Sequence, residues 1–470
     1  MPVLSRLPAW ARLLLLALAV LAVGRALLLV RHEPLLALGN NYDQIRYTAC
    51  LDLAPWRPGV DPGVGSAAAP QLRFAFQPIP PGNCLWTSDL LFTAPVALGW
   101  RIGEAFGGRP IHSVRRLAEL RLLAWLAVAA WATAFFLRER RFGLAAAHLL
   151  WLGLVGFDPG NTLYWATFYA EPSAVFGWYL AAVGVVAALV RPTRGAVAAI
   201  AFGAAILAAS KLQHILLPAA MAVAVLFAMR GGGRRIALAL AVGGLIGGAV
   251  QIANGWRAAS PAEGMSITNR GNFLLSLLLK ESSDAPALEQ RLGIGAECAS
   301  YAGKNVYVLP RPIESVCPGL PQWSQGTLWK HLVADPPALA RALLHVPHSL
   351  LPWQPPYLGV VEGVDHGSLP WYSPSVNQLF GGSVAIAWLL LLVPWLVVAA
   401  CWLLPLAAEA RAFALLCAVS ASATVVVALF GDGDVDFGKH AHLAITCALT
   451  GLCIPLAGLA NAPPRRRLSA

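Results

Sequence analysis

Charge is scarce in this chain: Asp, Glu, Lys and Arg together make up 12% of its 470 residues. Soluble domains carry about 25% charged and about 45–50% apolar residues, whereas 58% are apolar here. That excludes an ordinary water-soluble domain, and so much apolar surface equally excludes a disordered chain. The spacings CxxC and HExxH are both missing, so neither a zinc nor a haem site is indicated. No internal repeat is evident. An inverted-repeat transporter would show matching broken helices in two halves, and this chain is lopsided instead. Acidic residues are the rarer sign, 23 against 34 Lys and Arg, for a net charge of +11. A positive excess can mark nucleic-acid binding. Here, however, the basic residues sit in short clusters between apolar spans, which is how cytoplasmic loops look, and no nucleic-acid partner is expected.

What the chain does have is a series of apolar runs approaching the roughly 20 residues that a spanning helix needs. The first, Leu13–Val30, follows Arg6 and Arg12 and is not followed by a small-residue cleavage site, so it reads as a retained span. Basic clusters recur at Arg138–Arg141, Arg191–Arg194, Arg230–Arg235, Glu409–Arg411 and Arg465–Arg467. Placing all of them in the cytoplasm fixes the topology by the positive-inside rule. The spans are then 13–30, 117–137, 144–157, 173–190, 195–210, 214–229, 236–253, 382–404, 412–430 and 442–460. The expectation is therefore one all-α polytopic membrane domain over 1–470, a bundle of about ten helices with both ends inside. The third and fifth spans are short and are expected to extend further. Segment 87–105 is apolar but carries Asp89, Arg101 and Glu104, and counting it as a span would break the charge pattern. It fits an interfacial helix on the outer surface better.

Two long loops, 31–116 and 254–381, then lie outside, joined there by the short turns near 158–172, 210–214 and 431–441. Cys50 and Cys84 share the first loop, and Cys298 and Cys317 share the second. Two pairs in an oxidising compartment predict two disulfides. Cys401, Cys417, Cys447 and Cys453 fall within spans, where a buried thiol is a small hydrophobe.

Four of these outer segments carry the polar chemistry. In Asn40–Tyr47 (NNYDQIRY), Asp43 could accept a proton from an incoming hydroxyl, and Arg46 would share its helix face. A solvated Asp capping a short helix would look the same. Glu171 heads an apolar span just before Pro172, where the helix macrodipole favours a carboxylate. Around it Tyr164, Trp165, Tyr169 and Trp178 would suit a sugar, or equally an aromatic belt. In Ser210–His214 (SKLQH), Lys211 stands between two otherwise uncharged spans and must snorkel, pair or bind an anion. In Gly431–His442, three alternating carboxylates resemble the start of a calcium loop, but the bidentate Glu at position twelve is missing. Beside them, Lys439, His440 and His442 read as an anion pocket. Carboxylates and cations converging on one membrane surface are what transfer from a lipid-linked donor requires.

On NNYDQIRY, FYAEP, SKLQH, NFLLSLLLKESSDAPALEQRLGI and GDGDVDFGKHAHL, the chain resembles the GT-C superfamily of membrane glycosyltransferases. Within it the likeness is to a bacterial family of glycan-biosynthesis hexosyltransferases associated with S-layer and surface glycans. The resemblance covers most of the chain in short blocks. It departs from oligosaccharyltransferases, since no WWD-type motif or large C-terminal soluble domain is present, and so it leaves dependence on a divalent metal open; no other cofactor is implied. It implies Asp43 as general base and Glu171 as a second acidic residue that orients acceptor or donor. Lys211, His440, Lys439 and Arg46 would hold the lipid phosphate. Tyr42, Tyr169, Gln213, His214 and Asn269 would line the substrate, with Asn269–Lys280 as part of a lid. The implied partners are a polyprenyl-phosphate sugar donor, a glycan, lipid or protein acceptor, and membrane lipids. The implied location is the bacterial cytoplasmic membrane, with the site facing outward. Two rivals stand beside this reading. A ligase or polymerase using pyrophosphate-linked oligosaccharide would employ outer arginines such as Arg257, Arg270 and Arg311. A lipid-glycan flippase would need charges within the spans, and these are nearly absent.

Overall fold

A computed structural model describes residues 8–37, 39, 41–56, 71–230, 232–257, 261–354, 369–404 and 407–459. Asn40, the Tyr42 and Cys453 side chains and Arg465–Arg467 lie outside the described residues. The chain is mainly helical. Before the first long loop stands α1 (Ala9–Arg31), and within that loop lie α2 (Asn41–Thr48) and α3 (Leu90–Ala105). The bundle continues with α4 (Arg115–Arg138), α5 (Phe142–Trp151), the short α6 (Pro159–Thr162), α7 (Glu171–Val190), α8 (Arg194–Ser210), α9 (Leu217–Met229) and α10 (Arg234–Trp256). The second loop holds α11 (Ala262–Asn272), which runs on as a π-helix over Phe273–Leu279, then α12 (Ala285–Leu292), α13 (Ala296–Ala299), α14 (Ile313–Val316), α15 (Gln325–Val333), α16 (Pro336–Leu350) and α17 (Val376–Phe380). The chain closes with α18 (Val384–Leu403), α19 (Ala408–Asp432), α20 (Phe437–His440) and α21 (His442–Leu459).

At the centre is α7, with every residue from Glu171 to Ala188 buried. Small residues allow this. A Cβ on Gly177 would come within 2.6 Å of the Leu207 backbone nitrogen of α8, and one on Gly247 of α10 would collide with the Ala205 carbonyl of α8. Close approach over glycine and alanine maximises van der Waals contact, the main packing force between helices in lipid. By contrast, α1 and α18 are mostly exposed along their lengths, with leucines and tryptophans such as Leu13, Leu21, Leu396 and Trp395 facing outward. An apolar exterior around a glycine-packed centre is the construction of a multi-pass membrane protein.

Among the described residues, seven helices are long and apolar enough to cross a membrane, or eight if one bent pair counts as a single span. The expected spans outside this set are the bent pair and two shorter apolar helices. The third expected span, 144–157, matches Phe142–Gly156, and the chain bends by 62° just after it, into Pro159–Ala166. At the break, Asp158 accepts from the Gly160 N–H and the Ser375 hydroxyl, both at 2.7 Å, and pairs with Arg25 at 3.3 Å. The fifth does not extend; α8 stops at 17 residues because Lys211 turns into extended backbone. The expected span over 442–460 is the helix α21, His442–Leu459; the apolar stretch described within it is His442–Leu452.

The helical bundle agrees with the all-α expectation, and the first loop adds a small sheet to it. The sheet is three-stranded and antiparallel, β1 (Leu53–Pro55), β2 (Arg73–Phe76) and β3 (His112–Ser113), in the order β1-β2-β3. Phe74 of β2 is fully buried and meets Phe168 edge-on at 4.8 Å, which fastens the sheet to the segment leading into α7. The expected pairs Cys50–Cys84 and Cys298–Cys317 are both disulfides. Cys401, Cys417 and Cys447 are buried free thiols.

Candidate functional site

The two long loops and the turns at 158–172, 210–214 and 431–441 meet at one end of the bundle, and charged side chains are buried between them. On α2, Asp43 and Arg46 stand one turn apart and pair at 2.8 Å, the geometry their spacing predicts. Next to them Gln44 is buried and accepts from the Phe168 N–H at 2.7 Å, which locks α2 to the turn before α7. The second cation on Asp43 arrives from far along the chain: the Lys439 ammonium of α20 contacts its carboxylate. Lys439 also lies 4.8 Å from the centre of the Tyr169 ring. Burial pushes the Lys439 ammonium down, to about 7, so its charge depends on an anion at its side.

A second buried pair lies beyond that ring. Glu171 begins α7 with Pro172 behind it, and Lys211 reaches it at 2.5 Å; their side chains are 4% and 13% exposed. Lys211 is therefore held by a carboxylate rather than presented bare to solvent. Among the described residues, the other Glu171 oxygen, Oε2, has no hydrogen-bond partner, nor has the buried hydroxyl of Tyr164. A buried unpartnered oxygen costs about 1–3 kcal/mol, more for a charged group, so this corner is built to receive a donor. The Gln213 amide donates to the His440 carbonyl at 2.8 Å, joining the 210–214 turn to α20. His214 is buried and bonded to Ser210 through Nδ1 at 2.8 Å.

The acidic turn divides its residues between neighbours. Asp432 pairs with His440 at 3.0 Å and accepts from Asn272 at 2.8 Å. Asp434 pairs with Lys280 at 3.0 Å. His442 leaves the group: its Nε2 meets Asn161 at 2.9 Å, and its ring packs between Tyr164 and Trp353. One expectation is corrected here: His442 belongs to the packing between α6 and α21 rather than to an anion pocket. Asn272, three residues beyond Asn269, is the asparagine bonded to Asp432. Within Asn269–Lys280, the nine residues from Gly271 to Leu279 are buried, while Lys280 at its end is exposed. Among the described residues, no group of three or more His, Cys, Asp or Glu is placed to hold a metal ion.

The sequence reading missed several residues. Tyr307 of the second loop, 64% exposed, is near Asp432, Asp436 and Arg46. More consequential is Arg121 on α4, fully buried and paired with Asp89 at 2.5 Å. It also donates to the carbonyls of Trp165 and Thr167, at 2.5 and 2.7 Å, so one guanidinium fixes the backbone just before Phe168–Glu171. Burial pushes the Asp89 carboxyl up, to about 6, against the pull of Arg121. The signal was available, since an arginine inside an apolar run is costly and marks a partner. The three loop arginines expected to serve a ligase are each held locally. Arg257 lies over the Trp86 ring at 4.2 Å, Arg270 donates to the Trp323 carbonyl at 2.8 Å, and Arg311 pairs with Glu297.

The end of the bundle thus brings together one carboxylate with two cations and one buried carboxylate with a third. Such an arrangement can take up a phosphate by exchanging carboxylate for phosphate at the cations, and it frees a carboxylate in doing so. In comparisons with known proteins, no family model, no curated protein and no solved structure matches the chain.

Proposed function

We propose that the chain is a GT-C-type glycosyltransferase that moves a hexose from a polyprenyl-phosphate donor to an acceptor hydroxyl, with inversion, at the outer face of a bacterial cytoplasmic membrane. The observation that carries this reading is Asp43, held between Arg46 and Lys439 at the membrane-surface end of an apolar bundle. A carboxylate with two cations upon it is a weak base, because opposite charge stabilises its ionised form. The donor phosphate competes for those same cations. As it binds Lys439, Arg46 and His440, with Lys211 turning from Glu171, Asp43 loses its partners and its basicity rises. The donor thereby switches on the base that uses it.

The chemistry balances with residues already in place. The acceptor oxygen attacks the anomeric carbon from the face opposite the phosphate, and its proton passes to Asp43. The bond from the anomeric carbon to the phosphate oxygen breaks, and its electron pair leaves on polyprenyl phosphate. Preorganised cations stabilise the charge that develops there. Glu171, once relieved of Lys211, orients a sugar hydroxyl with its unpartnered oxygen. Tyr169, Gln213 and His214 border the sugar on the same side.

The test uses the full chain in proteoliposomes with a radiolabelled polyprenyl-phosphate hexose and extracted envelope glycans as acceptor. Wild type is expected to release polyprenyl phosphate as labelled glycan forms. Asp43→Asn keeps the shape and removes the basicity. General bases contribute about 10²–10⁴-fold, so transfer is expected to fall by at least about 100-fold. Transfer by a folded Asp43→Asn protein at the wild-type rate would remove Asp43 from the mechanism.

A further inference from the structure

Apart from the charged cluster around Asp43, the loop end carries a cleft of about 620 Å³. It lies between the sheet strands β2 and β3 and the ends of α1 and α4. Its lining includes Arg31, Arg73, Arg115, Arg116 and the two carboxylates Glu33 and Glu119. Four guanidiniums against two carboxylates leave an excess of two positive charges. The pairing shows where that excess sits. Glu119 is shared by Arg31 at 3.1 Å and Arg116 at 2.9 Å, while Glu33 takes Arg115 at 2.6 Å. Arg73 is exposed and has no carboxylate partner among the described residues. It stands opposite Ser113 in the β2–β3 register, which places both on one face of the sheet.

The wall of the cleft is rigid. Trp100 of α3 stacks on His112 of β3 with rings 4.8 Å apart and 6° from parallel, and His112 is tied to Glu104 at 2.7 Å. On the opposite side α3 exposes Leu91, Leu98 and Ile102, with Phe106 just past its end 88% exposed. An amphipathic helix of this kind lies in a membrane surface with its apolar face down. The cleft therefore opens at headgroup level. Arginines are normally scarce on the translocated side of a membrane, yet four line this one cleft. Guanidinium forks match phosphate oxygens in geometry as well as charge.

We propose that this cleft binds a phosphate group presented at the membrane surface, held by Arg73, Arg116 and Arg31. The proposal stands on the cleft's own geometry and not on the transfer reaction. Two sources carry the same chemistry, an anionic phospholipid headgroup and a free phosphate, and the test separates them. The purified full chain in neutral detergent is titrated with phosphatidylglycerol or phosphatidylcholine and read by native mass spectrometry. In parallel, inorganic phosphate is titrated and read by protection of the cleft arginines from phenylglyoxal. The variant is Arg73→Gln with Arg116→Gln, both exposed and so tolerant of change. Arg291→Gln, an exposed site on α12, is the control.

Retention of phosphatidylglycerol over phosphatidylcholine, weakened about tenfold or more in the double variant and unchanged in the control, assigns the site to a lipid headgroup. Protection by inorganic phosphate that disappears in the double variant, without lipid selectivity, assigns it to a soluble phosphate. Equal lipid binding by wild type and double variant together with no phosphate protection would overturn the proposal.

Discussion

The two ends of the bundle use the same residue types in opposite ways. Where α4 runs into α5, α7 into α8 and α9 into α10, the arginines stand in solvent: Arg138, Arg140, Arg191, Arg194, Arg230, Arg234 and Arg235 are all exposed. The pair there, Arg191–Glu139 at 3.0 Å, is 66% and 24% exposed. At the loop end some pairs also stand in solvent, such as Arg311–Glu297 at 54% and 49%, but two are sunk in protein, Arg121–Asp89 at 1% and 2% exposure and Lys211–Glu171 at 13% and 4%. Burying an ion costs several kcal/mol that the pairing only partly returns. Solvated arginines need no explanation beyond membrane orientation, whereas a cluster of buried pairs does. The loop end is where the fold carries the cost of buried charge.

The largest effect expected from breaking that contrast is at Arg121. Removing one member of a buried pair leaves an uncompensated charge and costs about 3–5 kcal/mol. Arg121→Met is therefore expected to lower the thermal unfolding midpoint in detergent more than any other single charge change, by stranding Asp89 and the Trp165 and Thr167 carbonyls. A smaller loss is expected from the loop staples. Cys50→Ser with Cys84→Ser, or Cys298→Ser with Cys317→Ser, removes a cross-link worth about 2–4 kcal/mol, and mass spectrometry of the unreduced wild type should recover both linked peptides. At the solvated end, Arg191→Gln should change stability by no more than about 1 kcal/mol, as exposed pairs do. A larger shift at Arg191 than at Arg121 would invert the comparison.

How much of this was readable beforehand varies with the distance over which the physics acts. Asp43 and Arg46 are three residues apart, and helical spacing alone puts them in contact. Lys211 was conspicuous as a lone cation between uncharged runs, and the cysteines could be paired by loop. Lys439 was singled out by the charge density of its turn, but its partner Asp43 lies 396 residues away, and no local pattern encodes that. Arg121 was overlooked because two charges, Glu119 and Arg121, near the start of a long apolar run still leave it reading as a span. Its partner Asp89 sits in a segment separated from it by the sheet strand β3. The sheet itself was missed because its clearest alternation, Arg-Phe-Ala-Phe in β2, is four residues long. The long apolar helices were legible, since apolar runs are local, and so were the turns near 158 and 210; the short helices α12 to α17 of the second loop were not, because none is a long apolar run.

The account's central claim is that a donor phosphate and Asp43 compete for the same cations. The most direct measurement is the affinity of the purified full chain for polyprenyl phosphate, compared among wild type, Lys439→Gln and Asp43→Asn. A hydrogen bond to a charged group contributes about 1.5–3 kcal/mol, and 1.4 kcal/mol is tenfold in affinity. Lys439→Gln is therefore expected to bind at least about tenfold more weakly. Asp43→Asn, which removes the competing carboxylate and leaves the cations free, should bind as tightly as wild type or tighter. Unchanged binding by Lys439→Gln, or weaker binding by Asp43→Asn, would contradict the claim.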